Sequence, residues 1–212
     1  YGEEVLNAYE VGFKWSVSDS TRINASAYFY DYKDYQAFLF VDVGGAVINR
    51  DAETTGIEIE VQSSPNENLD LLLSASLIDA EVKGVPLRVG SPLPPLNVKP
   101  NYTPEFQATA LARYTWPISG GDLAIQGDVS YSDEYFYNLR NFEADKFDSY
   151  VMVNASMSWI SEDGTLTSTL AVRNLTDERV GIQGFDVANF CGCNEVSYRA
   201  PRYYSLSVKR EF

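Results

Sequence analysis

Polar and apolar residues alternate along most of this chain, with a period of two rather than 3.6. Nine segments carry the pattern: Tyr9–Trp15, Arg22–Tyr30, Ile57–Gln62, Leu69–Leu77, Phe106–Trp116, Leu123–Ser132, Val151–Trp159, Leu166–Arg173 and Tyr203–Phe212. In the fifth, Phe106, Ala108, Ala110, Ala112, Tyr114 and Trp116 share one side, and Gln107, Thr109, Leu111, Arg113 and Thr115 the other. A strand sends successive side chains to opposite faces, so each segment predicts a strand with one greasy face. Over all nine, that face collects 41 residues and a single charge, Arg210, whereas the opposite face collects 38 residues and eleven charges.

Two all-β architectures explain an uncharged face. A soluble sandwich turns it inward against a second sheet. An outer-membrane barrel turns it outward to lipid. The connections favour the barrel, because they take turns between short and long. Val17–Ser20, Pro65–Asn68, Pro117–Asp122 and Ser161–Gly164 are short and rich in turn residues. Gln36–Asp51, Glu81–Thr103, Asn138–Ser149 and Thr176–Ala200 are long. An up-and-down antiparallel barrel with tight periplasmic turns and large outer loops has this rhythm.

The aromatic residues point the same way. Trp15, Trp116 and Trp159 each close a strand just before a short turn, and Phe212 closes the last one. They predict an aromatic girdle at the periplasmic interface, with Tyr9, Phe29, Phe106, Tyr131 and Tyr204 at the opposite rim. Ten residues from Phe106 to Trp116 span about 33 Å. Tilted by roughly 40–45° they cover about 23–25 Å, the height of a barrel's apolar band. Arg210, near the end of its strand, is expected at the interface, where a charge costs little.

Composition narrows the chemistry. The 212 residues include 30 acidic and 16 basic side chains and no histidine, for a net charge of −14. The missing imidazole removes Ser-His and Cys-His nucleophile pairs and His-ligated metals, so an enzyme is not expected. The acidity argues against nucleic acid, since phosphate neutralisation needs Lys and Arg. No apolar run reaches 18 residues, so no transmembrane helix is predicted. Glu58 and Glu60, about 6.6 Å apart on one strand face, have the chemistry of an acid–base pair or of hard-cation ligands, but read more simply as carboxylates on a wet wall. Cys191 and Cys193 lie in the last long connection, where a tight disulfide, a soft-metal site and two thiols are all open readings.

The chain ends with Tyr204, Leu206 and Val208 alternating down to Phe212. This looks like the C-terminal signal that outer-membrane barrels present to their assembly machinery. At this point the sequence resembles the C-terminal barrel region of TonB-dependent outer-membrane receptors. The resemblance rests on Tyr9-Glu10-Val11-Gly12-Phe13-Lys14, Thr55-Gly56-Ile57-Glu58-Ile59-Glu60, Val172-Arg173-Asn174-Leu175-Thr176-Asp177 and Pro201–Phe212.

That resemblance implies an antiparallel up-and-down transmembrane β-barrel in the outer membrane of a Gram-negative bacterium. Residues 1–212 would form roughly the last nine of 22 strands, with a plug and earlier strands contributed from elsewhere; a complete smaller barrel is the rival. It implies outer-membrane lipid, the plug, TonB acting through the plug, and the barrel assembly machinery as partners. It implies TonB-energised uptake of a scarce ligand, a ferric siderophore or similar iron complex being the commonest cargo, with no cofactor. A passive porin-like or adhesin barrel is the alternative. Family ligands are caught by aromatic and Arg side chains of the outer loops, which makes Arg88, Tyr135, Tyr137, Arg140, Phe142 and Phe185 the contact candidates here.

Overall fold

The computed structural model describes residues 2–41, 44–87 and 92–211. The strands in chain order are β1 (Val5–Ser18), β2 (Thr21–Val41), β3 (Gly44–Asn66), β4 (Leu69–Val85), β5 (Leu96–Val98), β6 (Phe106–Ile118), β7 (Gly121–Ser132), β8 (Tyr135–Phe136), β9 (Lys146–Phe147), β10 (Tyr150–Ser161), β11 (Leu166–Arg173), β12 (Gly181–Val187), β13 (Cys193–Tyr198) and β14 (Tyr203–Arg210). A short helix, α1 (Ala188–Cys191), lies between β12 and β13. Nine strands form one antiparallel meander in the order β1-β2-β3-β4-β6-β7-β10-β11-β14, with β5 added to β4. Each long strand therefore pairs with the next long strand in the chain, as an up-and-down barrel wall requires. Among the described residues the sheet is open, with β1 and β14 as its edges.

Tight turns follow β1, β3, β6 and β10, where the short connections were expected. In the third of them Gly120 and Gly121 adopt φ values of 85° and 148°. A Cβ on Gly121 would sit 2.0 Å from the Ile160 carbonyl oxygen, so only glycine closes this turn beside β10.

Among the described residues no second sheet lies against the greasy face. Val11, Phe13, Ile57, Leu73, Leu77, Leu170 and Leu206 are all exposed, Val11 by 72% and Leu206 by 74%. In a sandwich these side chains would be the core. Here they leave the apolar face open, an arrangement that a soluble monomer rarely shows over many strands. Aromatics mark both ends of it. Tyr9 stacks on Phe29 with ring centroids 6.3 Å apart, and Phe106 faces Tyr131 at 5.8 Å, at the outer rim. At the turn end Trp116 lies 4.4 Å from Tyr114 and is in register with Leu123, which is itself in register with Trp159.

The register carries the strand tilt. Across four pairings Trp15 aligns with Ile23, Val61, Leu73 and Ala110. Trp116 is six residues further along the same strand as Ala110, towards the turn. If the two tryptophans share one depth, the rim steps by about 1.5 residues per strand. With about 3.3 Å per residue and 4.8 Å between strands, that corresponds to a tilt of about 45°, the value of a closed barrel wall.

The outer ends of the strands continue further than the alternation indicates. Gln36–Asp51, expected as a loop, is mostly strand, because β2 runs on to Val41 and β3 begins at Gly44. Glu81–Thr103 contains the end of β4 and all of β5, and Thr176–Ala200 contains the β12–β13 hairpin. A bulge explains why the first extension was hidden. Tyr32 pairs with Ala52 but Tyr35 with Arg50, so β2 holds one extra residue there, and Asp34 takes φ 56°. One extra residue exchanges the two faces of a strand. Ala37 and Leu39 thereby turn to the polar side of the sheet, where they bury with Ala52, Val82, Val85, Val98 and Leu139 as the core of a loop cap. The main buried core of the chain thus sits at the outer end, on the polar face, and not between sheets.

Candidate functional site

The polar face forms a groove of about 670 Å³ lined by Lys14, Asn24, Glu58, Gln107, Ser130 and Tyr150 among others. Its side chains bond both across and along the strands. Asn24 Nδ2 donates to Glu60 Oε1 at 3.1 Å, and Gln62 Nε2 to the same oxygen at 2.9 Å. Asn154 Nδ2 donates to Asp128 Oδ2 at 2.7 Å, with Arg173 3.9 Å from that carboxylate. Its lining carries both signs of charge, Lys14 with Glu58 and Glu60, beside hydroxyl and amide groups, which suits a wall in contact with water.

The cap over its outer end is built by the 137–147 segment and the β12–β13 hairpin. Arg140 and Asp186 form a buried ion pair joining the two, each side chain 6% exposed, and the guanidinium also lies 4.8 Å from the Phe142 ring centroid. Removing one partner of such a pair strands the other charge. Asn194 of the hairpin donates to Tyr137 Oη at 2.7 Å and to the Ala144 carbonyl at 2.8 Å. Asp145 is fully buried beside them, and burial pushes its carboxyl above the usual range. Burial, reinforced by the Asp145 charge, also raises the Tyr137 phenol. Two glycines let the hairpin approach. A Cβ on Gly184 would lie 2.6 Å from the Tyr137 ring, and one on Gly181 2.5 Å from the Phe147 ring.

This geometry places the expected contact residues in three groups. Tyr135, Tyr137 and Arg140 face into the cap: Tyr135 packs edge-on against Phe147 at 5.6 Å and donates to Gly181 O at 3.3 Å, and Tyr137 is 5% exposed. Phe142 and Phe185 remain exposed. Arg88 lies outside the described residues, as does Phe212. Trp15 and Trp116 are exposed at the turn end of the greasy face and Trp159 is half-buried there. Tyr204, Leu206 and Val208 stand exposed on β14, opposite Val172, Leu170 and Ser168. Cys191 and Cys193 are joined by a disulfide at the hairpin tip. Residues that only the structure brings forward are Asp145, Asp186 and Asn194: Asp186 and Asn194 face each other across the hairpin, and Asp145 comes from a separate segment with no motif to link them.

The Asn174–Asp177 turn shows what its sequence does. Asn174 is buried with φ 53°, and its side chain accepts from Glu178 N at 2.8 Å and donates to the carbonyls of Glu178 and Ala200 at 2.8 and 3.3 Å. Asp177 accepts from Arg202 N at 2.8 Å. The motif is a clasp that fastens the entry of the last strand to the exit of β11. A family model described as TonB dependent receptor-like, beta-barrel, matches residues 3–175. The chain belongs to this family of TonB-dependent receptor barrels.

Solved receptor structures share the fold. The ferric yersiniabactin uptake receptor FyuA from Yersinia pestis superposes with a TM-score of 0.80 at 16% identity, over 99% of this chain and 30% of that one. The siderophore receptor PiuA from Acinetobacter baumannii gives 0.73 at 17%, over 97% and 28%. The ferripyoverdine receptor of the Pseudomonas aeruginosa outer membrane gives 0.72 at 15%, over 99% and 27%. The chain thus spans less than a third of the length of the receptors it matches. These TonB-dependent receptor barrels are transport receptors of Gram-negative outer membranes rather than enzymes. In that light the greasy face is the lipid-facing wall of a transmembrane barrel.

Proposed function

We propose that the protein takes up a ferric siderophore or similar iron complex across the outer membrane of a Gram-negative bacterium, driven by TonB. The reading is carried by one observation: an apolar face that no second sheet covers among the described residues backs a polar groove, on a wall that aligns along nearly its whole length with siderophore receptors. In this reading residues 1–212 are the C-terminal part of a 22-strand barrel. Earlier strands pair with the open edges at β1 and β14, and a plug inside the barrel answers to TonB. The barrel assembly machinery reads Tyr204, Leu206 and Val208 together with Phe212. Arg88, Phe142 and Phe185 are the loop residues left to meet the cargo directly, while Tyr135, Tyr137 and Arg140 shape the loops that present them. The carboxylates Glu58 and Glu60 are wall groups in water.

The test is deletion of the full-length gene, followed by growth under iron limitation with single ferric siderophores, haem, cobalamin or oligosaccharide as the supplied nutrient. Loss of growth and of radioactive iron accumulation with one ferric chelate, reproduced by deleting tonB, is the expected result. TonB-independent entry of small solutes instead would make the protein a passive barrel.

A further inference from the structure

The β12–β13 hairpin is anchored to the 137–147 segment by two residues that stand in register, Asp186 and Asn194. Asp186 takes the Arg140 guanidinium on Oδ2 and accepts from Ala188 N on Oδ1 at 2.9 Å. Asn194 Nδ2 donates to Tyr137 Oη at 2.7 Å and to the Ala144 carbonyl at 2.8 Å. One residue nearer the tip Val187 pairs with Cys193, and there the Cys191–Cys193 disulfide closes the hairpin. The staple is thus joined directly to both anchors: Cys193 precedes Asn194 in the chain, and its partner Val187 follows Asp186. Both cysteines are exposed, whereas Asp186 is buried.

The base of the hairpin is held by other contacts. Arg199 N donates to Val180 O at 2.9 Å, and Tyr135 Oη donates to Gly181 O at 3.3 Å. Release of Asp186 and Asn194 therefore frees the tip half while the end near Gly181 stays fixed. A disulfide acts chiefly by removing freedom from the opened form. Closing the tip penalises a hairpin whose anchors have let go, and so favours the anchored state. An exposed disulfide is also the kind that thiols reach.

We infer that the Cys191–Cys193 disulfide is a redox latch of the cap: a soluble dithiol opens it, and the tip of the hairpin then lifts from the 137–147 segment. The latch is independent of what the protein carries. In the opening step a thiolate of the dithiol attacks one cysteine sulfur, the S–S bond breaks, and the other cysteine leaves as a thiolate. The second thiol of the reductant then displaces the first from the mixed disulfide. Two electrons pass to the cysteines, the reductant becomes a disulfide, and its two protons end on Cys191 and Cys193. With the ring open, Val187 and Cys193 fray, and Asp186 and Asn194 behind them exchange their partners for water. Because the cap lies over the outer end of the groove, the redox state of the tip sets how open that end stands.

The experiment is hydrogen exchange on the full-length receptor in detergent, before and after dithiothreitol, with the reduction of Cys191 and Cys193 followed by alkylation and mass. Reduction is expected to speed amide exchange in the tip half of β12–β13 and in the 137–147 segment on the order of tenfold. The nine-strand meander is expected to stay within about twofold, and reoxidation to reverse the change. Cys191→Ser/Cys193→Ser is expected to exchange like the reduced protein and to ignore dithiothreitol. Asn194→Ala, which removes one anchor and keeps the disulfide, is expected to free the same two segments and to gain little from reduction. Faster exchange confined to residues 188–193 overturns the latch, because the disulfide then holds only its own loop. So does a change spread over the whole sheet, a disulfide that dithiothreitol leaves intact in the folded receptor, or a Cys191→Ser/Cys193→Ser variant that still responds to the dithiol.

Discussion

Leu73→Arg in the full-length receptor tests what the greasy face touches. Leu73 is 47% exposed on β4, in register with Val61 and Ala110 of the same face. It lies four residues from Leu69 and from Leu77, the first and last apolar-face positions of its alternating segment. Four residues are about 13 Å along a strand, or about 9 Å of depth at a tilt of roughly 45°, which puts Leu73 near the bilayer midplane. An arginine there costs about 2–4 kcal/mol, equivalent to roughly a 30- to 900-fold loss in the folding equilibrium. Ser74→Arg, one residue along and facing the polar groove, keeps its charge in water and is expected within about 0.5 kcal/mol of wild type. The assay is urea-dependent folding of each variant into phospholipid vesicles, followed by tryptophan fluorescence. Equal costs for the two variants, or a neutral Leu73→Arg, would refute the lipid-facing assignment, because an exposed leucine in water loses little by becoming arginine.

Three further outcomes are expected. Gly184→Ala drives a Cβ to within 2.6 Å of the Tyr137 ring, an overpacking cost of about 1–3 kcal/mol; it should appear as faster amide exchange in the β12–β13 hairpin and leave the sheet untouched. Asn174→Ala loses three side-chain hydrogen bonds and strains a φ of 53°, at a cost of about 2–3 kcal/mol, whereas Asn174→Gly keeps the backbone comfortable and is expected to lower the melting temperature less. The Asp145 carboxyl is raised by burial, so its contribution to the cap is full below the ordinary carboxylate range and lost as pH rises through its folded value; hairpin protection, corrected for intrinsic exchange, should therefore decline from acid towards neutral pH in the wild type and stay flat in Asp145→Asn.

The wall was legible in the sequence because lipid imposes one rule on every strand. A charge is excluded from alternate positions, and the phase survives wherever that rule acts, which is why the nine alternating segments coincide with the nine strands of the meander. Beyond the membrane the rule lapses. In β2 the inserted residue at Asp34 exchanges the faces, so the run through Ala37, Phe38 and Leu39 carries no readable period and reads as loop. The cap was hidden for another reason. Tyr137, Asp145 and Asn194 meet only after the hairpin folds back, and Arg140 finds Asp186 across 46 residues. The loop aromatics advertised binding, yet several of them build the cap itself.

The bulge at Asp34 divides β2 between two solvents. Below it the odd-numbered side chains, Ile23 to Phe29, meet oil; above it Ala37 and Leu39, still odd-numbered, are roofed over at the mouth. Deleting that one residue would restore a single phase and swing both side chains outside, leaving the roof without its innermost supports. A single insertion thus lets one continuous ribbon serve as hull and hatch frame, and it uncouples the length of the outer extension from the hydrocarbon thickness that fixes the lower part.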